Sequence, residues 1–500
     1  MAKKKLKQNT YQHWFQSQSE ETRAQLKDFF REVRQHISLP VKEKDAILAD
    51  FEKAMMWYSQ NHIAPGEAME RIDPKHLGGF YARPSVLWYP LDDAAKIYPL
   101  SMKHGQMAVF RLSMSLREKV SPELLQMALN FTIRRFPCFA TTVKKGFFWH
   151  YLNATKRRYI AEPERDLPVK PLKIYSSGSQ SFRVLYYENR ISVEYFHILT
   201  DASGGMQFLK TLVAEYLRLC GVQSAPGYGV LDLNEIPDPE ESSNAFLAAD
   251  RRGHGSGLTD KAALQMGGKL SLIRPARIVQ LRMSAADLLE HARSRGATIS
   301  EYILAMMFLA ARRATDESSG SFNIQVPVNM RKFYPTKSLR NFSMYCGIRL
   351  PLEDIRTIDS ILPEISRQLK EKAALEPMTQ MIHSSTRLVR SVRAVPLFIK
   401  APIASAIYGF LGDKIFTTTL SNMGVVEMPP ELCPMIESME FLLGSAVTNR
   451  ASCGMITFGD VSILSLTKLT SDPTFEEALV ALLSQDGVNV RVEGSMPYED

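Results

Sequence analysis

A strand, a tight turn and a helix follow one another without slack between Ile191 and Leu217, and a histidine stands at the end of the strand. Ile191-Ser-Val-Glu-Tyr-Phe-His197 alternates with a period of two, as a half-buried strand does. Ile191, Val193, Tyr195 and His197 therefore share the inward face. Asp201-Ala-Ser-Gly-Gly205 is turn chemistry, and Met206 to Leu217 takes up helical spacing. An imidazole facing the interior just before a loop and a helix is well placed to be a general base. A single histidine at a strand end is more often structural. The spacing His197-x-x-x-Asp201 occurs once in the chain, and its strand–turn–helix setting favours chemistry.

The rest of the chain narrows the choices. Its 500 residues are 45% hydrophobic and 23% charged, an ordinary soluble composition with room for two or three domains. A net charge of +8 is modest for this length. It suits a phosphate-bearing ligand such as coenzyme A better than a nucleic acid, and no aromatic–basic interleaving suggests a base-stacking platform. The five cysteines, at 138, 220, 346, 433 and 453, form no Cys-x-x-Cys and no metal-ligand spacing. Their odd number, with no secretory signal in the basic start Met1-Ala-Lys-Lys-Lys, predicts free thiols and a cytoplasmic setting. Val395 to Leu411 is the most apolar long stretch. Pro396, Lys400 and Pro402 interrupt it and it is too short to span a bilayer, so a buried helix is expected there, with contact to a membrane surface or a hydrophobic substrate as the minor alternative.

Residues 1–75 read as a polar helical extension without a functional signature. Ser121 and Pro122 cap a helix running toward Phe136. Strands are expected near 107–116, 138–144, 147–152 and 181–197, the last as a hairpin turning at Glu188-Asn-Arg190. Residues 85–220 form a first lobe, 221–268 a linker rich in Pro, Gly and Ser, and 269–495 a second lobe. Within the linker, Gly253-His-Gly-Ser-Gly257 follows no strand and reads as a flexible connector. The second lobe carries helices at 286–295 and 300–313. Its strands are expected at 322–329, 343–350, 415–421, 441–446, 453–458 and 461–468. No P-loop and no Gly-x-Ser-x-Gly elbow occurs.

Four segments together resemble the alcohol acetyltransferase-like branch of the coenzyme A-dependent acyltransferase superfamily, which includes chloramphenicol acetyltransferase and the condensation domains of peptide synthetases. They are Phe196-His-Ile-Leu-Thr-Asp-Ala-Ser-Gly-Gly-Met, Val326-Pro-Val-Asn-Met-Arg-Lys-Phe-Tyr-Pro, Leu339-Arg-Asn-Phe-Ser-Met-Tyr and Thr417-Thr-Thr-Leu-Ser-Asn-Met-Gly. The resemblance covers roughly residues 85–490. It implies an α+β fold of two chloramphenicol-acetyltransferase-like lobes forming a pseudo-dimer with a tunnel between them, complete in a monomer. A loop near 410–425 would reach from one lobe to the other. Ala202 stands where the family has glycine after the aspartate, and a positive φ there would cost roughly 1 kcal/mol. Phe196 replaces the first histidine common in condensation domains, which favours small-molecule acyl transfer.

The resemblance also implies roles. His197 deprotonates an alcohol or amine attacking an acyl thioester; neutral imidazole, with a pKa near 6.5, does so at physiological pH for about 10²–10⁴-fold in rate. Asp201 points away from the histidine and pairs with an arginine, either Arg111 or Arg331, to pin the loop that Gly204 and Gly205 complete. Ser421 donates to the oxyanion, with Asn422 as turn former or second donor. No metal or bound cofactor is required, because the thioester is already activated. The expected partners are acyl-coenzyme A as co-substrate and a small-molecule alcohol or amine, with no nucleic acid and no integral membrane segment. Two alternatives stay open: a condensation-like enzyme fed by an acyl carrier protein, and a catalytically inactive binding protein on the same fold. Cysteine nucleophiles are disfavoured, since Cys346 and Cys453 lie in apolar runs.

Overall fold

The computed structural model describes residues 11–78, 86–101, 107–155, 157–174, 179–249, 260–402, 414–444 and 449–495. After a helical stretch at 11–17, the first half of the chain carries α1 (Glu20–His36), α2 (Val41–Gln60) and α3 (Pro65–Arg71). It continues through β1 (Trp88–Pro90), β2 (Val109–Leu116), α4 (Pro122–Thr132), β3 (Thr141–Lys145), β4 (His150–Ala154), β5 (Ala161–Pro163), β6 (Phe182–Tyr187), β7 (Arg190–Phe196) and α5 (Ala202–Cys220). The second half adds β8 (Arg277–Ser284), α6 (Ala285–Ser294), α7 (Ile299–Arg313), β9 (Ser321–Asn329), β10 (Ser343–Pro351), α8 (Ile358–Lys372) and α9 (Leu375–Ser391). Then come β11 (Thr418–Val425), β12 (Ile436–Leu443), β13 (Ala451–Phe458), β14 (Val461–Lys468), α10 (Thr474–Gln485) and β15 (Arg491–Gly494).

These elements build two sheet-containing lobes, each with its own buried cluster. The N-terminal sheet has the order β12-β2-β7-β6-β5, and the C-terminal sheet runs β10-β9-β11-β13-β14-β8-β15. Strand β12 is the exception to chain order. Sequence placed residues 436–443 in the C-terminal lobe, but they pair antiparallel with β2, from Ile436↔Leu116 to Leu443↔Phe110, at the edge of the N-terminal sheet. The crossing begins where β11 ends: Met423 packs against the first lobe's cluster, and Val426, Met428 and Leu432 lie within it. Crossing covers an edge that β2 would otherwise leave open.

The N-terminal helices are not an appendage. Leu26, Val33, Phe51 and Tyr58 belong to the same buried cluster as β2, β7 and α5. Phe51 meets Phe131 of α4 edge-on, and the Tyr58 hydroxyl donates to the Leu219 carbonyl at 2.8 Å. Buried Asp50 is held by both Nε and Nη2 of Arg158, at 2.6 and 2.7 Å. Apolar stripes at helical spacing serve here as a third layer of one core.

The expected linker is likewise ordered where it is described. Glu241 receives two bonds from the Arg135 guanidinium, at 2.5 and 2.8 Å, and its carbonyl accepts from the Leu339 N–H. Ser243 accepts from the Ser338 hydroxyl, and Phe246 packs edge-on against Phe342. Residues 238–246 therefore strap the loop 336–342 against the first lobe. The run Gly253 to Gly257 lies outside the described residues. So does most of the apolar stretch beyond Pro402; of its described part, Phe398 and Ile399 are exposed rather than buried. Among the described residues no helix is long and apolar enough to cross a membrane.

Candidate active site

Strand β7 is buried on both faces, and the faces differ in kind. On one, Tyr195 stacks on its cross-strand partner Phe110 with centroids 5.1 Å apart. On the other, Glu194 lies opposite Arg111. The period-two pattern thus marks an apolar face and a buried ionic face, not a dry side and a wet one. Arg111 makes a two-pronged bond to Glu164, at 2.6 and 2.7 Å, and also reaches Ser113, Ser192 and Glu194. It is fully committed to that network, so it is not the partner of Asp201.

His197 follows the last residue of β7 and is half-buried. Tyr98 stacks on its ring at 4.7 Å, and Phe110 meets it edge-on at 5.2 Å. Its Nδ1 lies 2.8 Å from Oδ1 of Asn341. The other end of that amide, Nδ2, donates to Oδ2 of Asp92 at 3.1 Å. A carboxylate accepts only, so it fixes which way the amide points, and the amide oxygen in turn requires Nδ1 of the histidine to carry the proton. Nε2 is left with its lone pair and, among the described residues, no hydrogen-bond partner. Asp92 is fully buried beside Arg340, at 3.4 Å, and also accepts from the Ala95 N–H at 2.7 Å. Burial pushes its carboxyl above the usual range, and Arg340, Ala95 and Asn341 pull it back.

Asp201 sits four residues on and does something else. Its backbone is the N-cap of α5, and Oδ1 accepts from the Gly204 N–H at 3.1 Å. Oδ2 accepts from Nη1 of Arg331 at 2.7 Å and from the Phe342 N–H at 2.8 Å. Arg331 also donates to the carbonyls of Ser338 and Arg340. One carboxylate therefore ties the first lobe's loop to two segments of the second. Ala202 is the first residue of α5 and has no positive φ, so the strain expected there does not arise. The glycine that cannot be replaced is Gly204. A Cβ on it would lie 2.1 Å from the Leu339 carbonyl oxygen and 2.4 Å from Thr200 Oγ1. At Gly205 the fit is tight but softer, against the Tyr195 and Phe110 rings.

Ser421 and Asn422 lie on β11, which is parallel to β9 but pairs with it only at Thr418 and Thr419. Beyond those residues the two strands are no longer hydrogen-bonded to each other. Because they are parallel, Ser421 and the end of β9 face the same sheet edge. That edge is joined to the loop after His197 by Arg331 and by Asn329, which donates to the Ser203 hydroxyl at 3.2 Å. The half-buried Ser421 hydroxyl makes no hydrogen bond among the described residues. The Asn422 side chain is spent locally, accepting from the Gly424 N–H at 2.8 Å and donating to Ser300 at 3.0 Å. No described contact joins Ser421 to His197. Cys346 and Cys453 are buried, and burial pushes their thiols up to about 11 and about 12.

Sequence reasoning missed Asn341, Asp92 and Arg340. The first and last belong to the segment Leu339–Tyr345 that carries the resemblance, but no spacing ties them to a histidine some 140 residues earlier. Asp92, in a plain Leu-Asp-Asp-Ala-Ala run, has no sequence signal at all.

No protein-family model and no curated protein sequence matches the chain. Solved structures do. The trichothecene 15-O-acetyltransferase TRI3 of Fusarium sporotrichioides superposes with a TM-score of 0.52 at 14% identity, covering 81% of this chain and 99% of that one. Polyketide synthase associated protein 5 of Mycobacterium tuberculosis gives 0.54 at 13%, over 81% and 99% of the two chains. The first condensation domain of the calcium-dependent antibiotic synthetase gives 0.52 at 13%, over 82% and 100%. The chain shares the two-lobed α+β fold of these three structures and carries further helices at its N-terminal side.

Proposed function

We propose that the protein moves an acyl group from acyl-coenzyme A to the hydroxyl or amine of a small molecule, with His197 as general base. The observation that carries this is the half-buried imidazole whose Nδ1 is fixed by Asn341 and whose Nε2 has no hydrogen-bond partner among the described residues. Nε2 takes the proton of the acceptor as its heteroatom attacks the thioester carbonyl carbon. The resulting oxyanion accepts from the Ser421 hydroxyl of β11, which makes no hydrogen bond among the described residues. The C–S bond then breaks, and the imidazolium returns the proton to the departing thiolate, leaving free coenzyme A and an ester or amide. Donor and acceptor would approach His197 from opposite mouths of a passage between the lobes.

Each remaining site residue acts by holding this arrangement. Asp201, Arg331, Gly204 and Gly205 set the loop against the second lobe, and Asn422 shapes the turn after Ser421. Arg111 stiffens the sheet that carries the histidine. Incubating the protein with acetyl-, butyryl- and longer acyl-coenzyme A and a panel of alcohols and amines should release free thiol only when an acceptor is present. No acceptor-dependent release with any pair would overturn the reading.

Asn341 gives a second prediction. Without its carbonyl the imidazole loses both its orientation and its tautomer. Asn341→Ala should lower kcat by about 10²-fold with little change in KM, the effect expected of a misaligned base. In the free protein, the ¹⁵N spectrum of His197 should change from a proton held on Nδ1 to one shared between both nitrogens. An unchanged spectrum would remove Asn341 from this role.

A further inference from the structure

Strands β3 and β4 are joined by the four-residue turn Gly146-Phe-Phe-Trp149, closed by the Gly146 N–H donating to the Trp149 carbonyl at 3.0 Å. A Cβ on Gly146 would meet that same carbonyl at 2.5 Å, so the turn is as tight as it can be. Neither central residue has a positive φ, so backbone geometry does not select the residues at these two positions. Here they hold Phe147 and Phe148, which are 66% and 43% exposed and meet each other edge-on. Folding gives no reason for two aromatic rings at a hairpin tip.

A second exposed apolar pair lies against this one. The Leu397 N–H donates to the Phe147 carbonyl at 2.8 Å, and the Lys400 ammonium sits over the Trp149 ring. These bonds bring the helical residues 397–402 beside the turn and place Phe398, 71% exposed, and Ile399, 45% exposed, next to it. The exposed charges flanking the tip in sequence are basic, and Asp93, which pairs with Lys96 over the Trp149 ring, is buried. Lys144 and Lys145 precede the turn and are exposed, and no acidic residue occurs between Thr141 and Ala161 or between Pro377 and Gly412.

We infer that this tip is a docking surface for an anionic lipid bilayer. The feature is a protrusion, not a groove: four apolar side chains stand out from two adjoining arms with lysines behind them. Rings at such a tip enter the boundary between headgroups and acyl chains, while the cations behind them face the acidic headgroups. A protein partner would need a matching pocket, whereas a bilayer yields to the shape it meets. Since no described helix can span, attachment is peripheral. No described contact joins the four apolar side chains to His197.

The test uses the full chain and sedimentation with vesicles of phosphatidylcholine, alone or mixed with phosphatidylglycerol. The protein should bind the mixed vesicles, lose binding as salt rises, and ignore phosphatidylcholine alone. The triple variant Phe147→Ser, Phe148→Ser, Phe398→Ser should bind about tenfold or more weakly, with acyl transfer and thermal melting unchanged, since all three positions are exposed. If that variant misfolds, Lys144→Glu with Lys145→Glu should weaken binding similarly. Quenching by brominated lipid that is present in the wild type and lost in Trp149→Phe would place the tip in the bilayer. Wild-type protein left in the supernatant with acidic vesicles, or a triple variant that binds like wild type, would overturn the inference. So would capture of an acidic carrier protein in place of vesicles.

Discussion

Acyl transfer by His197→Ala is expected to fall by about 10²–10⁴-fold, the contribution of a well-placed general base. The fold should survive the change. The ring is half-buried, and its described contacts include the Tyr98 and Phe110 rings and one bond from Nδ1 to Asn341. The segment itself is held by backbone, with the His197 N–H donating to the Ala108 carbonyl at 2.8 Å. Circular dichroism and thermal melting should therefore change little while kcat collapses. Imidazole added to the variant should recover part of the rate, because the space left is that of the missing ring. A variant that turns over like wild type would show that the proton goes elsewhere.

Asp201→Asn should have the opposite signature, a large loss of stability with the pH–rate profile unmoved. The carboxylate accepts three donors, from Gly204, Arg331 and Phe342, and it is almost wholly buried. An amide supplies one acceptor oxygen and turns an NH₂ toward the remaining donors. Breaking a buried ion pair from one side costs about 3 kcal/mol or more. For 500 residues the unfolding entropy is about 1 kcal/mol/K, so this lowers Tm by roughly 3 °C or more. Transfer should fall as well, because the loop that carries His197 is tied to the second lobe through this residue. The profile keeps its shape because the carboxylate makes none of its bonds to the imidazole. An unchanged melting temperature, or a shifted acid limb, would place Asp201 in the chemistry instead.

These contrasting expectations separate two parts of the site that the sequence treats alike. His197 and Asp201 were legible together because strand, turn and helix follow one another in an unbroken local pattern. The arginine was legible only as a choice, because the resemblance offered both Arg111 and Arg331 and no spacing separates them. What decides is that Arg111 already faces Glu164 and Glu194 across its own sheet, while Arg331 emerges at the end of β9 beside the loop. Ala202 illustrates the limit of a motif: the glycine requirement moved two residues on, to the position where the Leu339 carbonyl passes.

Local order was set by the chain itself. Side chains alternating across β7, the cap at Ser121 and the turn before α5 depend on neighbours within a few residues, and short-range sterics and hydrogen bonding fix them. The tertiary structure alone decided what Nδ1 of His197 binds, that β12 joins the other lobe's sheet, and that the N-terminal helices complete the first core. Those outcomes depend on groups tens to hundreds of residues apart. Their meeting is governed by burial and by the need of each buried polar atom for a partner, and neither leaves a periodic trace in the sequence.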